Sequence, residues 1–193
     1  MSFTVESVLV DSEEIKRLND RIETTYRERN VSPQKKEEWK EACKEFYKTY
    51  NKLFFPGGEK MLSLVRSGDS DAISNALIFL LADPYHFRSG YTKEYLWKWF
   101  QNLEVSSKTL NSLEIAALKY LDRKLSREFW NMCKTMGRLA SADFWMKVLE
   151  VAESNKPPKS KRALYLLSHG ISIQFGAATR RRVYREILRE KYN

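Results

Sequence analysis

The sequence predicts an all-α protein, either a helical-hairpin repeat of the HEAT-like kind or an irregular bundle of about nine or ten helices. Three observations predict it. Apolar residues recur at steps of three and four along most of the 193 residues. Glycine and proline number only 7 and 5, too few for the turns of an all-β fold. Hydroxyl or acidic residues stand repeatedly just before these apolar runs, where helix caps belong.

Residues 1–10 read as a short extended or disordered lead-in. Asp11 or Ser12 suits the first cap, and Ile15, Leu18, Ile22 and Tyr26 form one stripe after it. Ser32-Pro33 is a stronger start, a capping hydroxyl followed by proline at the first helical position. The helix it opens carries Trp39, Ala42, Cys43, Phe46, Tyr47, Tyr50, Leu53 and Phe54 on one face. Pro56-Gly57-Gly58 stops it. FPGGEKM lacks the spacing of a phosphate-binding loop, and Met61 stands where that loop needs a hydroxyl, so it reads as a turn. A short helix follows, and Asp69 or Ser70 caps the next, apolar almost all round to Ala82 and therefore central.

The chain then bends. Ala82 to Phe100, ADPYHFRSGYTKEYLWKWF, reads as an elbow broken at Pro84 and Gly90. Asp83-Pro84 suggests one short turn, and Thr92 suits the cap of the helix that follows. In that helix Tyr95, Leu96, Trp99, Phe100 and Leu103 are expected to be buried, with Trp97 extending the aromatic surface. Ser106 or Ser107, Ser126 and Ser141 suit the next three caps. Asn155 to Ser160, NKPPKS, reads as a linker. A helix then runs to His169-Gly170, and a last one starts near Phe175-Gly176 or Thr179. From the elbow onward helices come every 15 to 20 residues, a paired period near 35 to 40 that suits hairpin repeats. The expected organisation is one helical domain with an N-terminal hairpin over 1–58, a central array over 59–155 and basic C-terminal helices over 156–193.

Two phrases carry a resemblance. FRSGYTKE, at Phe87 to Glu94, and DRKLSREF, at Asp122 to Phe129, resemble a family of uncharacterised bacterial helical proteins with HEAT-like organisation. The likeness covers about a third of the chain. It implies a fold and no activity.

Chemistry is sparsely signalled. There is no nucleophile elbow, zinc-protease helix, dinucleotide fingerprint or cysteine cluster. Cys43 and Cys133 lie far apart and suit buried free thiols in a reducing compartment. No metal and no cofactor are expected. The N-terminus has no basic stretch before an apolar core, and no apolar run approaches the length of a membrane span, so a cytoplasmic protein without transmembrane association is expected. Arg162 and His169 are spaced like the R-x4-6-H motif of HEPN ribonucleases. That resemblance implies an arginine steadying a phosphate and a histidine moving a proton at the 2′-hydroxyl, without a metal.

Charge speaks more loudly. The formal net charge is +9, and residues 156–193 hold ten Lys and Arg against two Asp and Glu. Lys159, Lys161, Arg162, Arg180, Arg181, Arg182, Arg185 and Arg189 are the candidate contacts to an acidic macromolecule, RNA or DNA among them. Arg88, Tyr91 and Lys93 form a second candidate surface at the elbow, where another protein could dock. The sequence therefore points to a non-enzymatic helical scaffold engaging an acidic partner. A HEPN-like ribonuclease and a protein–protein adaptor are the alternatives.

Overall fold

In the computed structural model the described residues are 3–154 and 156–170. Among them are nine helices and no strand. These are α1 (Val5–Glu28), α2 (Pro33–Leu53), α3 (Gly58–Val65), α4 (Ser70–Ala82), α5 (Ser89–Phe100), α6 (Ser107–Lys119), α7 (Arg127–Leu139), α8 (Ala142–Glu153) and α9 (Lys159–Gly170). The helix expected after Phe175 lies outside the described residues. They fall into two compact units, divided between Ser89 and Gly90, inside the elbow.

The first unit holds α1 to α4. The cap of α1 stands seven residues before Asp11 and eight before Ser12, the expected caps. Thr4 is the cap: its hydroxyl accepts from the Ser7 amide at 3.1 Å, and the Ser7 side chain reciprocates on the Thr4 amide. Ser12 is instead buried in mid-helix, on the same stripe as Val8, Ile15 and Leu18. The Ser32 cap and the Pro33 start of α2 stand as expected. Ile15, Leu18 and Phe46 form the core between α1 and α2. Burying a side chain such as Phe46 stabilises by about 2 kcal/mol. Phe46, Tyr50 and Phe54 stack at successive turns of α2, and Phe87 meets Phe46 edge-on at 5.5 Å.

At the elbow Asp83 opens no turn. It ends α4 in the left-handed region, φ 49°. α5 starts before the expected Thr92 cap. The Ser89 hydroxyl accepts from the His86 amide at 3.1 Å and lies 2.9 Å from the His86 carbonyl. Thr92 is buried within the helix. His86 is buried too, its Nδ1 3.0 Å from the Phe87 carbonyl oxygen.

The second unit is built on pairs of helices 12 or 13 residues long. α5 and α7 run parallel. The Asn131 amide donates to Glu94, the Thr135 hydroxyl to the Trp97 carbonyl and Arg138 to Asn102, so contacts join residues 37, 38 and 36 apart. α9 runs beside α7 in the same sense. Tyr165 packs on Phe129 and Trp130, and further along a Cβ added at Gly137 would lie 2.9 Å from the His169 carbonyl oxygen. α6 supplies Tyr120, whose hydroxyl accepts from Trp97 Nε1 at 3.1 Å in the core. Trp97 is 0% exposed and Tyr95 50%, the reverse of what was expected. Trp97 shares a face with Lys93 and Phe100, and that face is the one packed inward.

Candidate functional site

The two phrases FRSGYTKE and DRKLSREF meet in space, at the facing ends of α5 and α7. Lys93 Nζ lies 3.4 Å from Glu128 Oε1, and Arg123 reaches the same oxygen at 2.7 Å. Gly90 leaves room beside this pair: an added Cβ would lie 3.4 Å from Glu128 Oε2. Closer to solvent, Arg127 pairs with Glu94 at 2.6 Å and lies over the Tyr91 ring, 3.9 Å from its centroid. The Tyr91 hydroxyl, and Glu94 after it, raise the Arg127 pKa above its ordinary value, so the guanidinium stays charged.

Beyond this rim, α5 presents an aromatic row. Tyr91, Tyr95 and Trp99 stand four residues apart, one above the other on the helix. Tyr91 is 49% exposed, and Tyr95 stacks on Trp99 with centroids 5.9 Å apart and planes 16° from parallel. Along the adjacent side of α7 run Arg127, Asn131, Lys134 and Arg138, at steps of four, three and four. Arg127, Lys134 and Arg138 are exposed. Lys134 makes no ion pair with a described residue.

The expected site residues are distributed differently. Of the elbow set, Arg88 is exposed with its guanidinium 5.0 Å from the Phe87 centroid, and Tyr91 is exposed. Lys93 is not a surface residue: it is buried against Glu128, because its position on α5 faces α7. Of the basic set, Lys159 pairs with Asp122 at 2.5 Å, and Lys161 is half-buried. Arg162 is 8% exposed, with its Nε donating to the Leu121 carbonyl at 3.0 Å, so it stands in the interior rather than on a cationic surface. Arg180, Arg181, Arg182, Arg185 and Arg189 lie outside the described residues. His169 is half-buried, its ring packed on Tyr165 at 5.1 Å. A ribonuclease pair would need its arginine facing a phosphate, and Arg162 faces a backbone carbonyl.

The cationic row on α7 went unread in the sequence, although Arg127, Lys134 and Arg138 could have been found by placing α7 on a helical wheel. Elsewhere, Lys16, Asn19, Asp20 and Glu23 of α1 line a groove of about 410 Å³ with Tyr85, His86 and Phe87; its charges are mixed. Among the described residues no group of three or more His, Cys, Asp or Glu is placed to hold a metal ion. None of their helices is long and apolar enough to cross a membrane. No protein-family model, curated protein or solved structure matches the chain.

Proposed function

We propose that the protein is a non-enzymatic, HEAT-like helical scaffold that engages an acidic macromolecule, nucleic acid among the candidates, through its basic C-terminal segment. One observation carries the binding role: ten Lys and Arg against two Asp and Glu in residues 156–193, within a chain of net charge +9. Lys159 and Arg162 are occupied internally, so the proposal rests on Arg180, Arg181, Arg182, Arg185 and Arg189. The repeat character is supported by the parallel stacking of α5 and α7 at a spacing of 36 to 38 residues. Kinship with the uncharacterised bacterial HEAT-like proteins is supported by the packing of the two shared phrases against each other through Lys93, Glu128, Glu94 and Arg127.

The test is binding of labelled single-stranded RNA and duplex DNA across a salt series, with the RNA run on a gel afterwards. Affinity should fall steeply with salt, because each phosphate contact releases counterions. Replacing Arg180, Arg181 and Arg182 with Glu should abolish duplex binding with the fold intact. No binding at low salt would overturn the nucleic-acid role. RNA cleavage lost in His169→Ala would put the ribonuclease in its place.

A further inference from the structure

The aromatic row of α5 and the cationic row of α7 meet where Arg127 lies over Tyr91, and beyond that contact Tyr95 and Lys134 are left exposed to solvent. A half-exposed tyrosine stacked on a tryptophan leaves flat π surface open to water. Lys134 is exposed and makes no described ion pair, and Arg138 reaches only the neutral Asn102 side chain, at 3.3 Å. Arg127 keeps donors to spare beyond Glu94, since a guanidinium carries five N–H groups. From Tyr91 to Trp99 the helix rises about 12 Å, the length of three to four stacked bases at about 3.4 Å each. From Arg127 to Arg138 the cations run alongside for about 16 Å.

We infer that this face of α5 and α7 binds single-stranded nucleic acid. Unpaired bases stack on Tyr95 and Trp99, and on the Arg127 guanidinium that lies over Tyr91. The backbone phosphates lie along Arg127, Lys134 and Arg138. A duplex hides its base faces, and a run of Asp and Glu has no rings to place on the tyrosine and tryptophan. A single strand is the polyanion that uses both rows at once. The inference rests on α5 and α7 alone and does not call on the C-terminal arginines.

The experiment uses the full chain and a labelled oligothymidine of about fifteen nucleotides, near the upper site size of a single stacking module. Binding is read by anisotropy at about 50 mM salt, where phosphate contacts are strong. Tyr95→Ala should weaken binding about tenfold or more, the loss of one stacked base. Tyr95→Phe should restore it, since the ring rather than the hydroxyl does the stacking. Lys134→Glu with Arg138→Glu should weaken binding and flatten its salt dependence. Affinity for a duplex of the same length should be unchanged in Tyr95→Ala. Each variant is checked by its unfolding curve. The inference is overturned by wild-type affinity in a folded Tyr95→Ala, by failure of Tyr95→Phe to restore binding, or by a chain that binds polyglutamate and not the oligothymidine. The triple Arg180, Arg181 and Arg182 reversal separates the two surfaces. Tyr95-dependent oligothymidine binding that survives it sustains this face, and duplex binding that also survives it sinks the C-terminal role. Binding that needs those arginines and ignores Tyr95 does the opposite.

Discussion

Lys93 and Glu128 are an ion pair withdrawn almost wholly from water, with side chains 2% and 3% exposed and their charged atoms 3.4 Å apart. A lone charge in such a place would cost several kcal/mol, so each residue makes the other's burial tolerable. Arg123, partly exposed, adds a second cation to Glu128. The pair ties α5 to α7 beneath the proposed binding face.

Removing one partner should therefore be costly. Glu128→Leu, which takes the carboxylate away from buried Lys93, is expected to lower the stability of the second unit by about 3 kcal/mol. Pairing it with Lys93→Met should recover most of the loss, because the buried cation is then gone as well. Urea unfolding curves of the two variants give the comparison. A single-variant loss below about 0.5 kcal/mol, the size of an exposed pair, would mean that water reaches the site.

The approach of α7 to α9 depends on Gly137. A methyl group there would meet the His169 carbonyl oxygen at 2.9 Å, and backbone cannot step aside as a flexible side chain can. Alanine gains about 1 kcal/mol in helix propensity. Overpacking costs about 1 to 3 kcal/mol. Gly137→Ala should lower the melting temperature on balance. Gly170→Ala, whose Cβ would fall 2.3 Å from the Trp145 ring, should perturb tryptophan fluorescence as well.

Ser12 and Thr4 should respond to alanine with opposite signs. The Thr4 hydroxyl caps α1, so Thr4→Ala should cost about 1 kcal/mol and speed amide exchange over the first turn. The Ser12 hydroxyl is buried and meets no hydrogen-bond partner among the described residues. Ser12→Ala should raise stability, by about 1 kcal/mol at most. A loss instead would show that the Ser12 hydroxyl has a partner, such as a buried water.

The two thiols should differ in reactivity. Burial pushes the Cys133 thiol well above its ordinary pKa, so it stays protonated and unreactive in mildly alkaline buffer. Cys43 is partly exposed. A thiol-specific chromogenic reagent should titrate only Cys43 in the folded chain and both residues in denaturant. Rapid reaction of Cys133 in the native state would mean that α7 opens readily.

Much of the local structure was legible because its causes are local. A serine before a proline places the start of α2 from two adjacent residues, and Ser106 and Ser141 accept from the amides of Thr109 and Phe144. The start of α1 was not legible. The Thr4 capping box depends on Ser7 rather than on the usual acidic or amide partner, and Asp11 and Ser12 offered a plausible cap of their own. At the elbow Asp83 and Thr92 had the composition of caps. One instead closes α4 with positive φ, and the other lies buried inside α5.

By itself the sequence determined the helical class and the placing of the net charge. Each is a property of spacing or of a sum, and neither changes with how the helices turn. Only the tertiary structure decided which side of each helix faces inward. On α5, Tyr95 and Trp97 are both aromatic and two residues apart, and composition cannot rank them. Trp97 is the one that finds Tyr120, and Tyr95 is left to solvent. The same choice took Lys93 and Arg162 off the surface, because a cation can be buried wherever the fold supplies a carboxylate or a carbonyl to receive it. Such partners come from residues more than thirty positions away, a distance over which only packing carries information.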